Sequence, residues 1–166
     1  MEMAKRKVMT GTRFLSFILD NETYCIEIMK VKELMGLSGI THIPQTPAFV
    51  KGVINLRGQI IPVIDLRLKF GLAFVEYNKR TSVIVVEMSY EGDIMLMGVV
   101  ADSISEVIGI TDETIKKVPY INSKIKSEFI KGIANDACGI KIILDIEKIL
   151  SEDEFVILKE AQDSGG

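Results

Sequence analysis

One strand–turn–strand frame occurs twice in this chain, and that repetition limits its fold more than any other feature. The stretch FVKGVINLRGQIIPVID over 49–65 returns eighty residues later as FIKGIANDACGIKIILD over 129–145. Phe49, Lys51, Gly52, Asn55, Ile60 and Asp65 are matched by Phe129, Lys131, Gly132, Asn135, Ile140 and Asp145. A second block agrees in the same order: Lys30–Ser38 matches Ser103–Thr111, with Glu33 facing Glu106 and Gly36 facing Gly109. Two copies are too few for a solenoid, so the pattern is an internal duplication of a β frame. The corners differ. Arg57 and Gly58 in the first copy stand where the second has Ala137 and Cys138.

Within the frame, the β-type runs Val53–Leu56 and Gln59–Ile64 predict a hairpin, with Gly58 taking a positive φ at its corner. Pro62 lacks a ladder donor, which predicts an edge position or a bulge. Before the frame, Arg13–Asp20 and Thr23–Ile28 read as an opening hairpin. Ile28–Leu37 fits both helical and strand spacing, and the β-type runs around it favour a strand. His42-Ile-Pro44 and Thr46-Pro47 demand extended or turn geometry, with one short helical turn over 47–50. Leu72–Arg80 reads as a connector. Strands over Ser82–Met88 and Ile94–Val100 restart the pattern, and a longer loop, Thr111–Ser127, separates the second frame from them. Ile146–Leu150 turns helical. Ser151-Glu-Asp-Glu154 is a capping box opening a helix to about Ala161, and 163–166 are expected to be disordered, as is the leader 1–11.

At 166 residues a chain can bury about 70% of its unfolded surface, so neither metal nor disulfide is needed to fold it. Hydrophobic residues make up 48%, an excess that either two packed sheets absorb or partner surfaces use, the first being the expectation. A net charge of −3 lacks the basic face of a nucleic-acid binder, and the absence of Trp weakens a small-barrel oligosaccharide or nucleic-acid reading further. Cys25 and Cys138 lie in different repeats and form no C-x-x-C pair; both are expected to be small buried hydrophobes in a reducing compartment, and no metal site or cofactor is expected. No run is apolar enough for a leader or a bilayer span, and a cytoplasmic location is expected.

No phosphate-binding glycine loop or metalloprotease or hydrolase motif is present. His42, the only histidine, has no nucleophile or carboxylate beside it in sequence, and a structural or surface role is expected for it. Asp65 and Asp145 hold the same place after an apolar strand, which marks strand-ending or helix-capping residues rather than a catalytic pair. Met95 and Met97 alternate with Ile94 and Leu96 as strand packing. Glu33 sits in an apolar setting where an unpaired carboxylate is costly, and Arg57 at the corner is its candidate partner. The second copy keeps Glu106 but has Ala137, so the frame does not need the Arg in order to fold.

VINLRGQIIPVIDLRLKF over 53–70, with IMKVKE over 28–33, TPAFVKG over 46–52 and the later FIKG over 129–132, resembles the CheW family of bacterial chemotaxis coupling proteins. The resemblance runs from about Thr12 to Leu158. It implies a mainly β fold of two SH3-like, five-stranded β-barrel subdomains on a shared hydrophobic core, with a short C-terminal helix. The CheW-like domain would span 12–150, with approximate repeats 13–70 and 81–150 that are not strictly sequential subdomains, followed by the helix at 151–162. It implies no catalysis but an adaptor role, linking methyl-accepting receptor tips to the regulatory domain of the histidine kinase CheA. Carried over by position, the receptor contact comprises Val31, Glu33, Arg57 and Ser82, with Ser82 standing where relatives have an apolar residue. The kinase contact comprises Ile40, Gly52, Gly58 and Ile60. Full-length CheA and the coupling–receiver fusion are expected to be excluded by length.

Overall fold

A computed structural model of the protein describes residues 11–117 and 127–165. Its strands are β1 (Thr12–Leu19), β2 (Glu22–Glu27), β3 (Val31–Gly36), β4 (Val50–Leu56), β5 (Gln59–Asp65), β6 (Ser82–Tyr90), β7 (Asp93–Ala101), β8 (Ser103–Ile110), β9 (Ile115–Lys116), β10 (Ile130–Asp136) and β11 (Gly139–Leu144). They form two curled sheets, ordered β8-β1-β2-β11-β10-β9 and β3-β6-β7-β5-β4. The two orders are the same arrangement seen twice, except that the first sheet has a sixth strand, β9, where the second has only the bridge of Thr41 to Val53. Edge strands β8 and β3 correspond, as do the hairpins β1–β2 and β6–β7, and the frames β10–β11 and β4–β5. Each opening hairpin, however, has crossed to the other half's sheet: β1–β2 joins the strands of the second repeat, and β6–β7 those of the first. The two repeats therefore exchange hairpins, and neither half of the chain makes a sheet alone.

The frames agree in detail. Both carry a register shift at the same place, between Val50 and Gly52 and between Ile130 and Gly132. In both, the second strand runs parallel to the borrowed hairpin, β5 beside β7 and β11 beside β2. Pro62 falls where β5 has only β4 as a partner, because pairing with β7 starts at Val63. Its missing N–H is thus harmless.

The sheets pack through a large common core that includes Leu15, Phe17, Ile26, Ile84, Met88, Met97 and Phe155. Smaller cores lie within each curl, around Ile54, Ile61 and Val85 in the second sheet and around Phe14, Cys25 and Ile143 in the first. β6 is apolar on both faces for this reason: Ile84 and Val86 face the common core while Val83 and Val85 face the inner one, and a strand covered on both sides loses polar alternation. Phe17, Tyr24, Phe70 and Phe129 form a column with ring centroids 6.0, 6.0 and 5.6 Å apart. Met95 and Met97 are buried as strand packing.

Several expectations are corrected. Residues 28–30 form a single 3₁₀ turn before β3. Over 47–50 there is one hydrogen-bonded turn, Val50 N–H to Pro47 O at 2.9 Å, and no helix. The C-terminal helix runs on to Gly165, past the disorder expected from 163, because Gln162 and an i,i+4 pair of Lys159 with Asp163 (3.1 Å) hold its last turns. Cys138 is exposed, since it stands at the corner of the β10–β11 hairpin rather than on a strand; Cys25 is buried as expected. The expected leader lies outside the described residues except at Gly11. The capping box is present in reciprocal form: Glu154 N–H donates to Ser151 Oγ at 3.2 Å, and Ser151 N–H to Glu154 Oε1 at 2.8 Å.

Arg67 fastens the two sheets where the exchanged hairpins meet. Its Nε and Nη2 donate to Asp102 at 2.9 and 2.8 Å, and the Asp20 N–H also donates to Asp102, at 2.9 Å. Burial works to raise the pKa of Asp102, but those two donors and the guanidinium charge outweigh it, so the net shift is downward. A lowered carboxylate pKa stabilises the fold fully above the unfolded value near 3.9, and the contribution is lost as pH falls through the lower folded value. Asp102→Asn is therefore expected to lower the urea midpoint at pH 7 and to converge on wild type towards pH 2. A gap of constant size across that range would contradict this account.

Candidate functional site

The first frame's corner is a two-residue turn in which both Arg57 (φ 53°) and Gly58 (φ 85°) are left-handed. Sequence reasoning anticipated this for Gly58 alone. Such turns favour Asn, Asp or Gly, and a left-handed L-residue costs about 1 kcal/mol or more. Arg57 is therefore not there for the turn's sake. In the second frame Gly139 takes the positive φ (116°) and neither Ala137 nor Cys138 does, so the same two strands can be joined without an Arg. Gly58 N–H donates to Asn55 Oδ1 at 2.8 Å and fixes the tip.

From that tip Arg57 Nη2 reaches Glu33 Oε1 at 2.7 Å; the Arg side chain is 76% exposed and the Glu 24%. Glu33 lies on β3 and Arg57 at the end of β4, the two outer strands of the five-stranded sheet. The ion pair thus spans the open side of the curl, edge to edge. The counterpart Glu106 on β8 is exposed, and its backbone N–H and C=O are engaged by Ser16 Oγ at 3.0 and 2.7 Å. Only the first frame's Glu has a corner Arg opposite it.

Val31 stands two residues from Glu33 and packs half-buried against the common core. Ser82 is elsewhere. It pairs with Gly36 at the far end of β3, three residues along β6 from Val85, the partner of Glu33, and hence about 10 Å away along the strand. Its hydroxyl is turned to Arg80 O at 2.9 Å. The four residues assigned to the kinase also divide. A Cβ built on Gly52 would lie 2.0 Å from Thr41 O and 2.9 Å from Ile40 Cγ2, so Gly52 and Ile40 sit together where the 37–49 loop crosses β4. Gly58 and Ile60 instead line an open groove of about 810 Å³ with Arg57.

Sequence reasoning did not foresee this groove. Its floor includes Ile94, 57% exposed on β7, and its far side is the C-terminal helix with Lys159 and Gln162. Strand alternation sets Ile94 on the face opposite the buried Met95 and Met97, and its place near a strand end, just past the Tyr90–Asp93 corner, was the available signal.

Asp65 and Asp145 are both engaged locally. Asp65 accepts from Arg67 N–H (2.9 Å), Leu68 N–H (3.4 Å) and Tyr77 Oη–H (2.7 Å), and Asp145 from Glu147 N–H (3.2 Å). Both cap turns after their strands, as expected. Burial, followed by the bond to Asp65, pushes the Tyr77 pKa upward. His42 is exposed. Among the described residues no group of His, Cys, Asp or Glu is placed to hold a metal, and no helix is long and apolar enough to cross a membrane.

Comparison with known proteins agrees with the architecture. Residues 13–154 match the family model described as a CheW-like domain. The chemotaxis protein CheW of Klebsiella aerogenes is 40% identical over 148 residues, 89% of this chain and 87% of that one. That of Helicobacter pylori is 36% identical over 85% of this chain and 82% of its own. The crystal structure of the scaffolding protein TtCheW from Thermoanaerobacter tengcongensis superposes with a TM-score of 0.78 at 34% identity, covering 87% of this chain and 96% of that one.

Proposed function

The chain belongs to the CheW family of chemotaxis coupling scaffolds, and from that premise we propose that it joins methyl-accepting receptor tips to the histidine kinase CheA in the cytoplasm, without catalysing a reaction itself. One observation carries the receptor half of this reading: Arg57 is held in a strained conformation the frame does not require, exposed, and oriented by Glu33. A guanidinium kept at such cost and aimed by a carboxylate is built for a partner. Val31 and Glu33 complete that contact from β3, and Ser82 would join it only through a partner long enough to follow the β3 edge. On the kinase side, Ile40 marks the loop crossing β4. Gly52 acts by letting that loop close, while Gly58 and Ile60 share the hairpin with Arg57. The two partners therefore meet on one hairpin.

Contacts of this kind are individually weak, and an array supplies occupancy through multivalency. The test is co-sedimentation with a receptor signalling fragment and CheA. The protein is expected in the pellet with the receptor fragment and to raise the recovery of CheA there. Recovery of CheA that is the same with and without this protein would refute the coupling reading.

A further inference from the structure

The chain crosses between the sheets at Ile28–Lys30, from β2 to β3, and at Asp102, from β7 to β8. A carboxylate clamps each crossing. At the second it is Asp102 itself, which accepts from Arg67 and from the Asp20 N–H. At the first it is Glu147: its Oε1 accepts from Lys30 Nζ at 2.7 Å and its Oε2 from the Ser89 N–H at 3.0 Å. Arg67 and Glu147 hold the same place in the two frames, two residues after the capping Asp65 and Asp145. Each clamp therefore joins a frame, the exit of the hairpin beside that frame, and the corner end of the other hairpin. Only the polarity differs, with the cation on the frame in one and on the crossing in the other.

Lys30 is followed directly by the strand that carries Val31 and Glu33. Residues two apart on a regular strand share a face, but here the register shifts: Val31 pairs with Val86 and Glu33 with Val85. Val86 belongs to the common core and Val85 to the inner one. The bulge at Lys32 thus turns Glu33 to the inner side, where Arg57 reaches it, and a slip of one residue would undo that. β8 has a matching shift against β1, held from within by Ser16 Oγ on the Glu106 backbone. Opposite Glu33 stands Val85, which has no hydroxyl to do the same. On β3 the register is held from the strand's end instead. Ser89 lies on β6 three residues past Val86, and Glu147 binds it and Lys30 together. We propose that Glu147 is a positioning residue for the receptor contact: it fixes where β3 begins, and so the register that aims Glu33 at Arg57. This rests on the receptor reading of Arg57 above.

The test measures the affinity of the full-length protein for a receptor signalling fragment, under conditions where every variant is folded, together with the amide NMR signals of Val31 and Glu33 in the free protein. Glu147→Gln keeps the side chain's shape and an acceptor for Ser89, but removes the charge that holds Lys30. It is expected to bind about tenfold more weakly, as residues acting through others do, and to move both amide signals. Asp102→Asn loosens the matching clamp, which does not lead into β3. It is expected to bind receptor as wild type does and to leave those signals in place. Equal losses of affinity in the two variants would mean that the clamps act on the fold alone, and the proposal falls. Weaker binding by Glu147→Gln with both signals unmoved would make Glu147 a direct contact, and the proposal again falls. It falls too if Glu147→Gln binds normally while Arg57→Glu does not. If Arg57→Glu also binds normally, the receptor reading itself is overturned. Should Glu147→Gln fail to fold, Lys30→Met, which removes the other member of the same clamp, decides alone.

Discussion

Arg57→Glu is expected to leave the protein folded and to weaken receptor binding by about 100-fold or more. The two effects separate because the pair is exposed on one side. Arg57 is 76% exposed, and ion pairs of that kind contribute about 0.2–1 kcal/mol to stability, or a few degrees in melting temperature for a chain of this size. Binding is another matter. Reversal removes the guanidinium, sets two carboxylates against each other across the curl, and presents a negative tip where the partner met a positive one. Juxtaposed like charges cost several kcal/mol at an interface, and about 3 kcal/mol is roughly 100-fold. The double variant Glu33→Arg with Arg57→Glu sharpens the result, since it restores the edge-to-edge pair with the charges exchanged. If the pair served only to close the sheet, the double variant would recover binding. Recognition by the tip itself requires that binding stay lost while stability returns.

Much of this arrangement was legible in the residues. The duplicated frame, its strands, the capping Asp65 and Asp145, and the capping box all follow from short-range rules of strand pattern and backbone satisfaction. Which sheet each hairpin joins did not follow. Copies related by duplication present the same edges, so β1–β2 fits beside β11 as well as β6–β7 fits beside β5, and the sequence pattern is alike for the exchanged and unexchanged forms. Arg57 was singled out because its counterpart is Ala137; its left-handed φ was hidden, as a turn of this type is usually announced by Asn or Asp. Ser82 stood apart for a simpler reason: positions that share a face in sequence alignment with a family need not lie near one another. Gln162 was invisible, because its partners are the backbone carbonyls of Ile60 and Leu96, 102 and 66 residues away, and no side-chain pattern marks a free carbonyl.

Gly52→Ala is expected to be the most damaging of the Gly→Ala changes within the two frames. Gly52 has φ 141°, a region L-residues rarely enter, and its added Cβ would fall 2.0 Å from Thr41 O, a backbone atom that cannot step aside. Thr41 is itself bound into β4 by two bonds, Thr41 N–H to Val53 O at 2.9 Å and Val53 N–H to Thr41 O at 2.8 Å. Relieving the clash must break both and lift the loop that carries Ile40 off the inner core. Strain and two lost backbone bonds together make about 3 kcal/mol or more. Two other glycines calibrate the claim. Gly58→Ala also has positive φ but meets nothing within 4 Å, so its cost is backbone strain alone, about 1 kcal/mol. Gly132→Ala, at the same place in the second frame, has ordinary φ and meets first the Ile115 side chain at 2.5 Å, then Lys116 O at 3.0 Å; the side chain can turn, so its cost should fall between the two. Urea midpoints should rank Gly52→Ala lowest, then Gly132→Ala, then Gly58→Ala. The order bears on function. If Gly52 contacted the kinase directly, its variant would lose kinase binding while still folded. If Gly52 acts through the Thr41 closure, kinase binding should track the midpoint, and below the transition Gly58→Ala should be the more selective lesion of the two.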